Sequence, residues 1–152
     1  MNSYEKYRKK IQKEVNEFPM FYAFSEKQFN DGMAKVGLRP GVKADIKKVC
    51  NGPVSGSFMK KDDTQKFVEM AIRHKKEMIR LLEEDTDGTG FIFEMFYYEL
   101  NNHEYCITRD ETETLDALGL DAEELDKNEK LKNGLNLAIE KIIKEEMERC
   151  YE

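Results

Sequence analysis

Apolar residues recur at helical spacing through most of the chain. Tyr7, Ile11 and Val15 mark one stripe of a segment from about Tyr4 to Asn16, which Ser3 is placed to cap and Pro19 to end. Ser25 opens a second helix through the capping box Ser25-Glu-Lys-Gln28, with Phe29, Met33 and Val36 as its stripe and Gly37 as its stop. The longest periodic segment runs from about Thr64 to Glu84 behind Asp62 or Asp63 as cap. Phe67, Met70, Ala71, Met78, Leu81 and Leu82 keep helical spacing throughout it. Asp110 is placed to cap a short helix that stops at Gly119, and Asp121 with Glu124 opens another brief turn. A last helix, about Asn128 to Arg149, presents Leu131, Leu135, Ala138, Ile139, Ile142 and Met147 on one side.

Other segments read as strands. Met20 to Phe24 is short, aromatic and bounded by Pro19 and Ser25, which predicts a buried strand. Ile46 to Cys50 and Ser57 to Lys60 predict two more, around a loop at Asn51-Gly52-Pro53. Phe91 to Leu100 and Glu104 to Thr108 predict a β-hairpin with Asn101-Asn102 as its two-residue turn. That register sets Tyr98 opposite Tyr105, Phe96 opposite Ile107 and Glu94 opposite Arg109. A helix over residues 91–103 is the rival reading, and the β-favouring aromatics decide against it. The expected fold is therefore α+β. A small, mostly antiparallel sheet of three to four strands is flanked by the long helices beginning near Thr64 and Asn128, in a single domain.

The 152 residues are enough to bury a core without a disulfide or a structural metal. Charged residues make up 37% of the chain, mixed in sign, and no stretch approaches the roughly 18 apolar residues of a membrane span. The first ten residues include bases but no apolar run after them, so no signal peptide is expected. Cys50, Cys106 and Cys150 are odd in number and far apart, the pattern of free thiols. These features predict a soluble, cytoplasmic protein with no membrane partner. The net charge of −6 is unevenly distributed. Residues 35–66 carry eight bases against three acids, whereas residues 110–152 carry fourteen acids against six bases. Such asymmetry can mark an electrostatic binding surface, and more often it is a set of solvated faces that differ in sign.

Candidate chemistry is sparse. Asp85-Thr-Asp87-Gly-Thr89-Gly90-Phe-Ile92 matches the first half of an EF-hand calcium loop, but Phe96 stands at position 12, where a bidentate Glu completes the shell. A strand downstream would also depart from the EF-hand pattern, and a Gly-rich turn accounts for the same residues. His103 lies beside Glu99 and Glu104, and His74 has Glu77 nearby, which is too little to define a metal or catalytic centre. Gly52-Pro-Val-Ser-Gly56-Ser57-Phe-Met-Lys60-Lys61 is not a P-loop, because the Lys does not follow the second Gly directly. As a flexible basic loop it offers contacts to phosphate, and Tyr97, Tyr98 and Tyr105 offer stacking faces for single-stranded nucleic acid. No nucleophile, base and oxyanion donors assemble. The sequence thus predicts no catalytic residue, metal or cofactor. The candidate interaction surface comprises Lys47, Lys48, Lys60, Lys61, Tyr97, Tyr98, His103, Glu104 and Tyr105.

Three stretches carry a family resemblance. They are Phe18-Pro-Met-Phe-Tyr-Ala-Phe-Ser-Glu-Lys-Gln-Phe29 with Gly32-Met33, Ser57-Phe-Met-Lys60-Lys61-Asp62 leading to Phe67, and Gly90 to Tyr105 with Leu115-Asp-Ala-Leu-Gly-Leu120. Through them the chain resembles a family of small uncharacterised proteins, a domain of unknown function, from gut Firmicutes and their phages and mobile elements. The resemblance implies a bacterial cytoplasmic setting and favours accessory or counter-defence roles; it brings no catalytic residue. Together these readings predict a non-enzymatic protein that binds a host or phage protein, its acidic C-terminal third mimicking a phosphate backbone. The alternatives are a single-stranded nucleic-acid-binding protein using the basic loop and hairpin tyrosines, and a metal-dependent enzyme built on His103.

Overall fold

The computed structural model describes residues 2–52 and 54–150. Pro53, part of the loop expected between the second and third strands, lies outside the described residues. The chain divides into two compact units: the described residues up to Arg8 together with those from Glu77 onward, and residues Lys9 to Lys76. Helices α1 (Ser3–Glu17) and α3 (Thr64–Glu84) contribute to both.

The unit from Lys9 to Lys76 holds β1 (Met20–Tyr22), α2 (Glu26–Lys35), β2 (Ile46–Lys48) and β3 (Ser57–Lys60). Among the described residues the sheet is antiparallel with β3 central, in the order β1-β3-β2. Phe21 pairs with Phe58, and Lys48 with Phe58 on the other side. One sheet face packs on α2. Phe21 and Phe58 stack at 5.5 Å, and Phe29 meets both rings edge-on. Met33 and Val36 complete this cluster, with Leu38 and Ile46 at its margin. The capping box forms with a variation. Ser25 accepts the Gln28 N–H as expected, but the Gln28 side chain reaches the N–H of Phe24 rather than that of Ser25. At the other end Gly37 (φ +85°) closes a Schellman motif, its N–H on the Ala34 carbonyl and the Leu38 N–H on the Met33 carbonyl.

The first strand is not wholly buried as expected. It ends at Tyr22, and Phe24 beyond it is 90% exposed. The second strand is shorter than the sequence suggests, although the Val49 N–H still donates to the Ser57 carbonyl. Two expected caps are also displaced. Asn2, not Ser3, caps α1: its side chain accepts the Glu5 N–H and its own N–H donates to Glu5. The Ser3 hydroxyl donates to Glu94 instead. Before α3 a 3-10 turn, Lys61–Asp63, takes the place of an Asp cap.

In the other unit the predicted hairpin is absent. Residues 91–108 form α4 (Phe91–Asn102) and α5 (Tyr105–Thr108), followed by α6 (Thr112–Leu118), α7 (Ala122–Lys127) and α8 (Glu129–Cys150). Phe91, Ile92, Met95, Phe96, Glu99 and Leu100 are buried, a helical period that the run of aromatics on intervening positions conceals. Tertiary burial overrides aromatic β-propensity here. Ile92, Met95, Phe96 and Leu100 are fully enclosed and pack in one core with Leu131, Leu135, Ala138 and Ile142 of α8. Burial of each such side chain contributes roughly 1.5–3 kcal/mol. Met147, placed on that stripe by the sequence, is 57% exposed.

The start of α4 is set by Asp85. Its Oδ1 accepts the Gly88 N–H at 2.9 Å, and its Oδ2 accepts those of Gly90 and Ile92 at 3.1 and 2.9 Å. Later caps are simpler. Asp121 accepts the Glu124 N–H at the head of α7, and Gly119 ends α6 as expected. Asp110 makes an Asx turn with Thr112 instead of capping α6 directly. Among the described residues no helix is long and apolar enough to cross a membrane.

Close backbone contact joins the Asp85 turn to α8. A Cβ on Gly134 would lie 2.4 Å from the Ile92 side chain and 2.8 Å from the Gly88 carbonyl oxygen, and one on Gly88 would lie 2.1 Å from the Lys130 carbonyl oxygen. Gly88 also has φ +87°. Gly88→Ala is therefore expected to destabilise by more than about 2 kcal/mol, since steric overlap adds to the roughly 1–2 kcal/mol of a left-handed Ala. Gly37→Ala, equally left-handed but with open space around it, is expected to cost only about 1 kcal/mol. Chemical denaturation of both variants checks the ordering.

Candidate functional site

The structure distributes the nine predicted surface residues between the two units. In the unit from Lys9 to Lys76, Lys47 and Lys48 lie on β2, Lys60 ends β3, and Lys61 opens the 3-10 turn. Lys60 is half-buried and the other three are exposed. By strand alternation Lys48 and Lys60 share the Phe58 face, with the Lys48 ammonium 5.8 Å from that ring, while Lys47 points to the opposite face beside Met59. Among the described residues none of the four is paired with a carboxylate.

Tyr97, Tyr98, His103, Glu104 and Tyr105 belong to the other unit. Tyr97 and Tyr98 lie on α4, Tyr105 opens α5, and His103 and Glu104 form the turn between the two helices, so the five are not arrayed across a hairpin. An open groove of about 580 Å³ between the Asp85 turn, α4 and α8 is lined by Thr89, Phe93, Leu137, Lys141 and Glu145 among others. The Tyr97 hydroxyl donates to Glu145 at 2.7 Å, and its ring stacks on Phe93. The Lys141 ammonium sits 4.3 Å above that ring. Burial, reinforced by Glu145, raises the hydroxyl's pKa. Tyr98 lies under the Arg8 guanidinium at 4.7 Å, and Tyr105 is buried with Arg109 over its ring. Each of the three rings is thus already engaged by a cation of its own chain, which reduces the stacking surface left for a base.

A buried centre that sequence reasoning missed lies beneath these residues. Glu99, 3% exposed, accepts the Tyr4 hydroxyl at 2.6 Å and an Arg8 N–H at 2.5 Å. Its backbone carbonyl receives His103 Nδ1 at 2.8 Å, so His103 ends α4 by bonding to its own helix. Burial and then Glu99 push the Tyr4 hydroxyl far above its usual range. Burial opposes the Arg8 charge, but hydrogen bonding to Tyr4 and the charge of Glu99 outweigh it and raise the pKa. The partners of this carboxylate come from α1, 91 and 95 residues away. Nothing local in the sequence signals such a pairing. Its chemistry is that of a buried carboxylate held by a buried tyrosine hydroxyl and a partly exposed arginine.

Beyond the centre, α5 is bounded by two left-handed non-glycine residues, Glu104 (φ +56°) and Arg109 (φ +55°). Between them Ile107 is 76% exposed, and Arg109 is tied to Glu146.

The remaining candidates resolve as structural parts. In the calcium-like loop both Asp85 oxygens hold backbone N–H groups and Asp87 holds Thr89. A helix, not a strand, follows, which corrects one argument drawn from the sequence. Phe96 at position 12 is fully buried in the core. No group of three His, Cys, Asp or Glu side chains is placed to hold a metal ion among the described residues. Cys50 and Cys150 are exposed and Cys106 is half-buried; all three are free.

His74 is buried, and its Nε2 lies 2.6 Å from Glu14, which also takes two bonds from Arg73. Arg73 first, then His74, hold the Glu14 carboxyl down at about 2, against an ordinary 4.5. A depressed carboxylate stabilises the fold above its unfolded pKa, and that contribution fades as pH falls toward the folded value. Glu14→Gln is thus expected to lower the denaturation midpoint at neutral pH. The gap from the parent should close between about pH 5 and pH 2; a gap constant across that range would contradict the pairing.

No curated protein and no solved structure matches the chain significantly. A family model does match, over residues 3–141, which takes in α1, the whole of the sheet, the Asp85 turn, α4 and most of α8. The chain therefore belongs to that family, described as a family of unknown function, DUF7659.

Proposed function

We propose that the protein is a non-enzymatic binding factor that engages a basic surface on a host or phage protein through the segment from Asp110 to Glu129. The observation that carries this reading is the charge exposed there. Nine acids face one base in those twenty residues. Asp110, Glu113, Asp116, Asp121, Glu123, Glu124, Asp126 and Glu129 are all exposed, and the single base, Lys127, is held by Glu123. Such a surface resembles a run of phosphates to a basic partner and speeds encounter with it. A cytoplasmic accessory or counter-defence role in a phage or mobile element is the setting that fits it.

The test is a pull-down of the tagged protein from bacterial lysate after nuclease treatment, repeated with Glu113→Gln, Asp116→Asn, Glu124→Gln and Asp126→Asn combined. These four side chains are exposed and make no cap. The combined variant is expected to weaken partner binding by roughly tenfold or more and to flatten its salt dependence. Partner binding with unchanged affinity and salt dependence would refute the reading.

The four carboxylate-free lysines support a second reading, in which they contact the phosphates of single-stranded nucleic acid. Because the tyrosine rings are already engaged, this reading rests on charge alone. Fluorescence anisotropy with a single-stranded oligonucleotide should then show a salt slope that shrinks by about 0.7 for each of Lys47, Lys48, Lys60 and Lys61 replaced by Ala. No binding at low salt would end it.

A further inference from the structure

The two free edges of the sheet differ in chemistry. β2 presents exposed Lys47 and Lys48, the charged guard that keeps an edge strand from pairing with another chain. β1 has no such guard. From Phe18 to Ser25 the chain carries no charged residue, although 37% of the whole sequence is charged. Yet Tyr22 is 49% and Phe24 is 90% exposed.

The register shows which way the edge directs its hydrogen-bonding groups. The Val49 N–H donates to the Ser57 carbonyl at 2.8 Å, so Ser57 turns its carbonyl toward the β2 side. Hydrogen bonding alternates along a strand, so Met59 also turns toward β2, and Phe58 turns toward β1. Phe58 pairs with Phe21, which therefore faces inward. Met20 and Tyr22, on either side of Phe21, direct their N–H and C=O groups away from the sheet. These two donors and two acceptors are self-complementary about Phe21.

We propose that β1 is a self-association edge: two copies of the chain pair β1 against β1, antiparallel about a two-fold axis at Phe21. In this arrangement Met20 of each copy exchanges two N–H···O bonds with Tyr22 of the other, and the two three-stranded sheets become continuous. Phe24, two residues beyond Tyr22 and 90% exposed, lies at the margin of this seam. Alternation keeps Met20 and Tyr22 on one face, so the exposed Tyr22 gains Met20 of the other copy as an apolar neighbour. Charge also favours a second copy. Each chain is negative overall, at −6, but the segment brought together is neutral on both sides and carries no like-charge repulsion. A two-fold interface of this kind closes on itself and stops at the dimer.

Sedimentation equilibrium of the full chain, across protein concentration and salt, tests this. The expected result is a reversible dimer whose dissociation constant changes little with salt. Phe24→Lys, at a position too exposed to matter to the monomer fold, should raise that constant at least about tenfold. Tyr22→Pro, which deletes an outward N–H that takes no part in the intrachain ladder, should do the same. A chain that stays monomeric at every concentration overturns the proposal, as does a dimer indifferent to Phe24→Lys. A dimer that dissolves as salt rises also overturns it, and assigns association to the charged surfaces. Should Tyr22→Pro unfold, Phe24→Lys alone decides.

Discussion

Both carboxylate oxygens of Asp85 are occupied by backbone N–H groups, and the placement of α4 follows from that clamp. The turn it holds brings Gly88 against the backbone of α8, where Gly134 leaves room for Ile92. With α4 fixed there, Met95, Phe96 and Leu100 enter the core against α8, and Glu99 comes to lie where Tyr4 and Arg8 reach it. Loss of the clamp would leave the first N–H groups of α4 without partners in a buried place. One carboxylate thus organises an entire unit, and does so at the loop that most resembles a cation site.

Much of the fold was legible because local signals and tertiary packing agree. Ser25, Gly37, Gly119 and Asp121 act at the helix ends where their chemistry suggests, and of the α3 stripe Met70 is buried and Phe67, Met78, Leu81 and Leu82 are partly so, while Ala71 is exposed. The three short strands fall where apolar runs meet turn residues. The failure at Phe91 to Thr108 has a specific cause. Phe93, Tyr97 and Tyr98 are aromatic on the less buried side of α4, so the period of the buried residues is hidden in a run that is apolar nearly throughout. Asn101-Asn102, read as a hairpin turn, is the last turn of a helix. The Glu99 centre was illegible for a different reason: its partners on α1 are set by tertiary folding and leave no mark at short range.

The functional picture divides along similar lines. Charge asymmetry, visible in composition, survives folding as an exposed acidic segment and as lysines without carboxylate partners. Aromatic residues do not keep the roles their type suggests. Tyr97 and Tyr98 bind cations from their own chain and Tyr105 is buried, whereas Tyr22 and Phe24, which a buried strand would have hidden, stand in solvent. Surface chemistry in this protein is thus read more safely from charged residues than from aromatic ones.

The contact between Tyr4 and Glu99 also bears on how the chain reaches its native state. Closing a loop of 95 residues for a single hydrogen bond is entropically unfavourable and slow. The intervening unit shortens that search, because Glu14 near its start is bound to Arg73 and His74 near its end. Once Lys9 to Lys76 has folded, the ends it hands to the flanking segments are already close together. During synthesis the turn that carries Tyr4 leaves the ribosome long before its partner on α4, so this order of events lets the folded Lys9 to Lys76 segment act as a short connection.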